Sequence, residues 1–307
     1  MRALKNLFAL CAFLITCPLI AQTHYDTLIP SPKDSSKMLK AQVYHNGNEL
    51  VIYRKPKHFG FITSIPKTFA GAARMSFTKK SIKPWAGIVS STLLLIAFDQ
   101  KISDNTQQFS NNIGLDYTRD YKTLAGFKLG STQVNAYELP QNFNTALYSL
   151  GEGSTSMLIV GGLYLYGKVK HNYRAASTAS QLMQSLIVVG ITTQTLKRVS
   201  GRESPFVATA PGGVWRPFTK PSDYQKHVPN HDAFPSGHFA TLMATVTVLS
   251  ANYPEKKWIK PVGYTLMGLC AFAMVNNGVH WTSDYPLAIG IGYVCAKATV
   301  KMNRWVR

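Results

Sequence analysis

His280 and Asp284 stand four residues apart in the stretch Val279-His280-Trp281-Thr282-Ser283-Asp284. On a helical turn that spacing puts both side chains on one face, where the carboxylate can hydrogen-bond the ring. An Asp bonded to one ring nitrogen fixes the tautomer and leaves the other nitrogen for attack or proton transfer. By itself the pair carries little, because His-x-x-x-Asp arises often by chance as a surface contact. A second cluster, Phe234-Pro235-Ser236-Gly237-His238, opens an apolar run. There Ser236 can cap a helix, Gly237 lets an anion approach the backbone, and the first N–H groups face outward. His238 can supply a proton to a leaving group. The plain alternative is a Pro-Ser-Gly helix entry with an incidental histidine. The third cluster, Lys197-Arg198-Val199-Ser200-Gly201-Arg202-Glu203-Ser204-Pro205, ends another apolar run. Cations at such an end snorkel to an interface, or, beside two histidines, neutralise an oxyanion.

These clusters need elements that bring them together. Apolar runs occupy about 85–98, 145–167, 176–196, 238–253, 261–279 and 285–300. If the runs are antiparallel helices, chain parity alone puts all three clusters at one end of an all-α, six-helix bundle. Several runs are shorter or more polar than the roughly 20 apolar residues of a membrane span. A soluble bundle with buried helices is therefore an alternative. Charge placement favours the membrane. Lys79, Lys80 and Lys83 precede the first run; Lys168, Lys170 and Arg174 separate the second and third; Lys256, Lys257 and Lys260 separate the fourth and fifth. Lys297, Lys301, Arg304 and Arg307 accompany and follow the sixth, whereas the joint between the first two runs balances Lys101, Arg119, Lys122 and Lys128 against five acids. Basic joints alternating with a near-neutral one fit six spans, with the clusters on the periplasmic side.

The 307 residues carry a formal charge of +19 and are 46% hydrophobic but only 15% charged. The apolar share excludes a disordered chain, and the charged share is low beside the roughly 25% of soluble domains. No zinc-finger, helix-turn-helix or single-strand-binding signature accompanies the positive charge, which excludes a nucleic-acid partner. The cations sit instead where anionic head groups would meet them. Cys11, Cys17, Cys270 and Cys295 lie in apolar runs without metal-ligand spacing, so they are read as small apolar residues. No metal and no cofactor are expected. Arg2, Lys5 and the apolar stretch Leu7 to Ala21 form a signal-like segment ending near Ala21-Gln22. The expected organisation is a signal peptide at 1–21, a small irregular N-terminal extension at 22–84 and a helical domain at 85–304. Glu49 to Tyr53 (ELVIY) could form one strand. A cleaved signal leaves the mature N-terminus outside, whereas the charge topology wants Lys79 to Lys83 inside, so span parity stays open.

Together the clusters resemble the type 2 phosphatidic acid phosphatase family, which shares a helical core with vanadium haloperoxidases and bacterial acid phosphatases. Lys197 and Pro205 match the family's first motif, Pro235-Ser236-Gly237-His238 the whole of its second, and His280 with Asp284 its third. The resemblance covers roughly 85 to 304. It implies hydrolysis of a lipid phosphomonoester or diphosphate at a bacterial inner membrane, metal-independent and through a phosphohistidine. It assigns attack to His280, orientation to Asp284 and proton transfer to His238. Phosphate oxygens would be held by Lys197, Ser236 and the Gly237 N–H, with Arg202 as helper. Two departures stand out: the family's arginines fall on Ser204 and Met274. Arg216, in Trp215-Arg216-Pro217, is a second candidate substitute for the first of them. Phosphatidic acid, phosphatidylglycerol phosphate, undecaprenyl diphosphate and a lipid A phosphate all fit. A soluble acid phosphatase, a vanadate-binding haloperoxidase and a phospholipid-binding protein without turnover use the same residues.

Overall fold

The computed structural model describes residues 24–31, 34–46, 49–129, 132–303 and 305–306. The signal-like segment at 1–21 lies outside them. The order is β1 (His24–Ser31), β2 (Asp34–Asn46), β3 (Glu49–Arg54), α1 (Gly60–Thr63), α2 (Ile65–Ser76), α3 (Ile82–Ile96) and α4 (Asp99–Asn112). Then come β4 (Tyr121–Leu129), β5 (Thr132–Pro140), α5 (Phe143–Ser149), α6 (Gly153–Val169) and α7 (Tyr173–Ser200). A long loop with the short α8 (Pro221–Lys226) leads to α9 (Gly237–Asn252), α10 (Ile259–Asn276), α11 (Tyr285–Asn303) and β6 (Trp305–Val306).

Each of the six apolar runs is helical, the second broken into α5 and α6 around Gly151. The all-α expectation is corrected by the strands. β1, β2, β3 and β6 form an antiparallel sheet in that order, and β4 pairs with β5 as a hairpin. The 24–54 region is therefore a meander and not an irregular extension, and Glu49 to Tyr53 does lie in a strand. Its alternation works as pleating demands. Val51 and Tyr53 face one side with Tyr44, and Ile52 faces the other with Ala41 and Val43.

α9 and α11 pack together at the centre, flanked by α7, with α2 and α3 on the outside of α11 and α10 beside α9. The core is built of small and branched residues: Leu182, Val188 and Val189 of α7, Ala240, Ala244 and Val248 of α9, Cys270 and Ala273 of α10, and Ala288 and Ala296 of α11. Gly292 sets the central distance, since a Cβ there would lie 2.3 Å from the Ala240 carbonyl oxygen.

The sheet seals one end of the bundle. Arg174, in the first turn of α7, lies over the rings of Tyr44 and Tyr253 at 4.9 and 4.3 Å. Its Nε donates to the Asn252 carbonyl and its Nη2 to Glu255, both at 2.7 Å. Tyr53 donates to Asn252 Oδ1 at 3.0 Å, and Gln42 to the His171 carbonyl at 2.9 Å. The basic joints at 168–174 and 256–260 sit at this end. α7 then runs away from it and α9 runs back, so Lys197 and Gly237 lie at the opposite end, as antiparallel parity requires.

Among the described residues no single helix is long and apolar enough to cross a membrane. The pair Lys79–Ile96 and Asp99–Asn112, bent by 67°, meets that condition together by length and composition. The outer surface is nonetheless apolar in places: Val89, Leu93 and Leu94 of α3 and Leu158 and Leu165 of α6 are all more than half exposed.

Gly292→Ala is expected to destabilise by about 1–3 kcal/mol through overpacking of α9 on α11. Gly161→Ala, in α6 with open space around the new methyl group, should instead stabilise by about 0.4–1 kcal/mol. Thermal unfolding of the two variants in the same detergent measures both signs.

Candidate active site

The end of α7 builds the first wall. Its last turn carries Lys197, and Gly201 ends it in the left-handed region at φ 59°. A Cβ at Gly201 would meet the Arg216 carbonyl oxygen at 1.8 Å, so no other residue fits. The turn sends Arg202 inward as an extended residue bridged to Trp215 on one side and Asp232 on the other. Arg202 is completely buried between the rings of Trp215 and Trp281, at 4.8 and 5.4 Å.

The second wall is the start of α9. Ser236 is its N-cap, accepting from the Phe239 N–H at 3.3 Å and donating to the Met274 sulfur at 3.8 Å. The first N–H groups of a helix have no acceptor within it and carry partial positive charge. Gly237 and His238 occupy those positions. Lys197 Cε is the nearest heavy atom to a Cβ built at Gly237, at 4.0 Å, so the ammonium group lies beside this helix terminus. Lys197 Nζ pairs with Asp232 Oδ2 at 3.2 Å.

The third wall is the turn between α10 and α11. His280 presents its ring edge-on to His238, with centroids 5.8 Å apart and planes at 71°. Its Nδ1 lies 3.4 Å from Asp284 Oδ2 without the alignment of a hydrogen bond; such contacts in unliganded sites tighten when substrate binds. Asp284 is fully buried and also accepts from the Trp281 N–H at 2.8 Å and from Arg202 Nη1 at 2.6 Å. Burial, reinforced by Lys197, pushes the His280 imidazole down to about 3, so it is neutral and its ring keeps a lone pair for attack. Burial pushes the Asp284 carboxyl up to about 7 against the pull of Arg202.

The structure thus brings Lys197, Ser236, Gly237, His238, His280 and Asp284 to one end of the bundle. Arg202 reaches the same place but faces away from the opening. Its Nε donates to the Gly212 carbonyl, Nη1 to Ser283 Oγ and Asp284, and Nη2 to Asp99 and the Gly212 carbonyl. A guanidinium has five N–H donors, and these five bonds leave none for a phosphate. Arg216 is likewise engaged, by Glu203 at 2.6 Å. Met274, where the resembled family has an arginine, is fully buried against Ser236.

Sequence reasoning missed two charged residues here. Asp99, 1% exposed, binds Arg202 Nη2 at 2.7 Å and the Ser283 N–H at 3.0 Å. Arg119 lies over Tyr148 and Phe206, 5.9 and 5.6 Å from their centroids, and the Tyr148 ring in turn meets His238 at 4.6 Å with the planes tilted by 48°. Parity was the signal for Asp99: it follows the first apolar run as Lys197 closes the third, so both belong to the same end.

A family model described as the PAP2 superfamily matches residues 178–307. Two solved structures are similar. The crystal structure of Aquifex aeolicus LpxE is 21% identical, over 52% of this chain and 84% of its own, with a TM-score of 0.39. The first transmembrane PAP2 type phosphatidylglycerolphosphate phosphatase from Bacillus subtilis is 14% identical, over 80% of this chain and 96% of its own, with a TM-score of 0.38. No curated protein matches the chain. The matched region holds Lys197, the Pro235-to-His238 stretch and the His280–Asp284 pair, so residues 178–307 are similar to the PAP2 superfamily.

Proposed function

We propose that the protein hydrolyses a lipid phosphomonoester or diphosphate, with His280 as the nucleophile. One observation carries this: a neutral, buried imidazole, backed by Asp284, meets a second histidine edge-on beside a lysine and a helix N-terminus. The His280 lone pair attacks phosphorus, and the bond from phosphorus to the leaving oxygen breaks as His238 protonates that oxygen. His238 takes up this proton together with the anionic substrate, since burial, reinforced by His280 and Lys197, holds its imidazole well below the usual range in the free protein. The His280 imidazole gains positive charge, which Asp284 offsets through Nδ1–H. His238 then takes a proton from water, the water oxygen attacks phosphorus, the P–N bond breaks, and His280 is restored with release of inorganic phosphate. Lys197, the Gly237 N–H and the positive end of α9 hold the equatorial oxygens. Ser236 supports them as the cap of α9. The second cation is Arg119, exposed at the opening beside Tyr148 and His238, and it takes the part that Arg202 is too fully engaged to play.

The substrate's hydrocarbon tail has a place beside this site. A cavity of about 500 Å³ is lined by Pro84, Gly87 and Ile88 of α3, by Phe239 and Thr282, and by Ile289 of α11. Phe239 follows His238 in the chain and Thr282 lies between His280 and Asp284, so this open groove borders the elements that carry the reacting groups. Together with the exposed leucines of α3 and α6, this favours work at a membrane surface. The basic joints at the sheet end favour that end on the inner side and the site on the outer, periplasmic side.

Four outcomes test this. Purified wild-type protein in detergent with EDTA present should release phosphate from at least one member of a panel of lipid phosphates and diphosphates, and His280→Ala should abolish it. Turnover that persists in His280→Ala removes the phosphohistidine. Arg119→Ala should lower kcat/KM by about ten- to a hundredfold, the effect of one charge-assisted phosphate contact, with partial retention in Arg119→Lys. A membrane-impermeant thiol reagent on whole cells should label a cysteine placed at exposed Phe218, in the site-end loop, but not one placed at Lys257; the reverse pattern turns the bundle over.

A further inference from the structure

Asp99, outside the matched region, lies two hydrogen bonds from Asp284, which faces the nucleophile. Its Oδ2 accepts from Arg202 Nη2 at 2.7 Å and from Ser283 Oγ, and its Oδ1 accepts from the Ser283 N–H at 3.0 Å. Arg202 Nη1 donates to Ser283 Oγ and to Asp284 Oδ1, both at 2.6 Å. Asp284 Oδ2 faces His280 Nδ1. Asp99, Arg202, Ser283 and Asp284 are all at most 1% exposed. The carboxylate of Asp99 therefore grips the 281–284 turn directly at Ser283 and indirectly through Arg202.

The charge count gives this arrangement a consequence for the chemistry. Arg202 facing Asp284 alone would form a neutral sealed pair, and the guanidinium would cancel much of the carboxylate's attraction for a positive ring. A second carboxylate on the other side of Arg202 leaves the three groups at −1 once Asp284, pushed up to about 7, is ionised. In a low-dielectric surround that remaining charge acts strongly on its neighbour. The neighbour is His280, which becomes positive when phosphorus is bound to it. The other groups facing Asp284 are Lys197 of α7 and the Tyr285 hydroxyl of α11, beside His280 on its own turn. Arg202 is thus directed at carboxylates and away from substrate.

We propose that Asp99 is a positioning residue for the His280–Asp284 pair, sharing Arg202 with Asp284 so that the buried cluster stays net negative as the ring becomes positive. This rests on the phosphatase function proposed above. Asp99→Asn keeps the shape and removes the charge. Its kcat should fall about tenfold or more while KM changes less than about twofold, because no substrate contact is lost. Loss of a like charge beside Asp284 also favours its ionised form, so the acid limb of the pH–rate profile should move to lower pH. A merely architectural Asp99 would lower the melting temperature, leave kcat per folded molecule and the acid limb in place, and overturn the proposal. If Asp99→Asn does not fold, Asp99→Glu serves: displacement of the carboxylate should lower kcat while its retained charge leaves the acid limb unmoved, and full activity in that variant overturns the proposal equally. The 15N shifts of His280 separate the two hypotheses without turnover. In wild type Nδ1 should carry the proton, and in the Asp99 variant that preference should weaken. Absent phosphate release with a responsive His280 removes the phosphatase function alone; active enzyme with an unresponsive His280 removes the role of Asp99 alone.

Discussion

One guanidinium, sealed between two carboxylates and two indole rings, fixes the working end of this protein. A charge without water must be matched donor by donor, because an orphaned partner costs several kcal/mol. Arg202 meets that demand by drawing on three separate pieces of chain: Asp99 at the start of α4, the loop that carries the Gly212 carbonyl and Trp215, and the turn at 281–284. None of these can slide without breaking a bond to it. The catalytic turn is therefore held from behind, by groups that never meet a substrate, and the face towards the opening is left to Lys197 and the two histidines. Gly201 is the hinge of the arrangement, since only a residue without a Cβ lets the helix stop and the arginine turn in at that point.

The other end of α7 repeats the device with different partners. Arg174 is also buried, also stacked between aromatic rings and also paired with a carboxylate. The 28 residues of α7 span roughly 42 Å at 1.5 Å each, so one helix begins at the Arg174 clamp, ends two residues before the Arg202 clamp, and fixes the distance between sheet and site. Between them small and aliphatic residues such as Ala179, Leu182, Val188 and Val189 are packed together with buried polar ones such as Gln181, Gln184 and Ser185. Gly292 and the alanines on α9 and α11 let the central helices approach closely, which leaves little room for either to rotate.

Much of this was legible in the sequence, for reasons that can be named. The Pro-Ser-Gly-His stretch is local: its cap, its glycine and its histidine act within one turn, so four adjacent letters suffice. The gathering of three clusters at one end followed from helix parity, which needs only the order of apolar runs. Arg202 was misjudged because spacing gives the distance of a cation from the other motifs and not the direction it faces; its acceptors come from Asp99, more than a hundred residues earlier. Arg119 sits in a polar joint among other charges, with nothing local to set it apart from Lys101 or Lys122. The sheet was hidden in β2, where Asp34, Lys37, Lys40 and several uncharged polar residues interrupt the apolar ones, because part of its surface faces outward.

The pairing of β3 with β6 has a bearing on how the molecule assembles. Val51 aligns with Val306, and Ile52 with Trp305, across a sequence separation of about 250 residues, among the most non-local contacts a chain of this size can make. Closing such a loop is slow unless the intervening chain is already compact. The helices must therefore pack before the fourth strand can find its edge, and the sheet remains open on that side until α11 is seated. Until then β3 presents an unpaired strand edge, the kind of surface to which foreign chains add. The last step of folding thus covers part of that edge, at Val51 and Ile52, as well as completing a sheet, and a chain cut short after α11 would leave those two residues open for its whole lifetime.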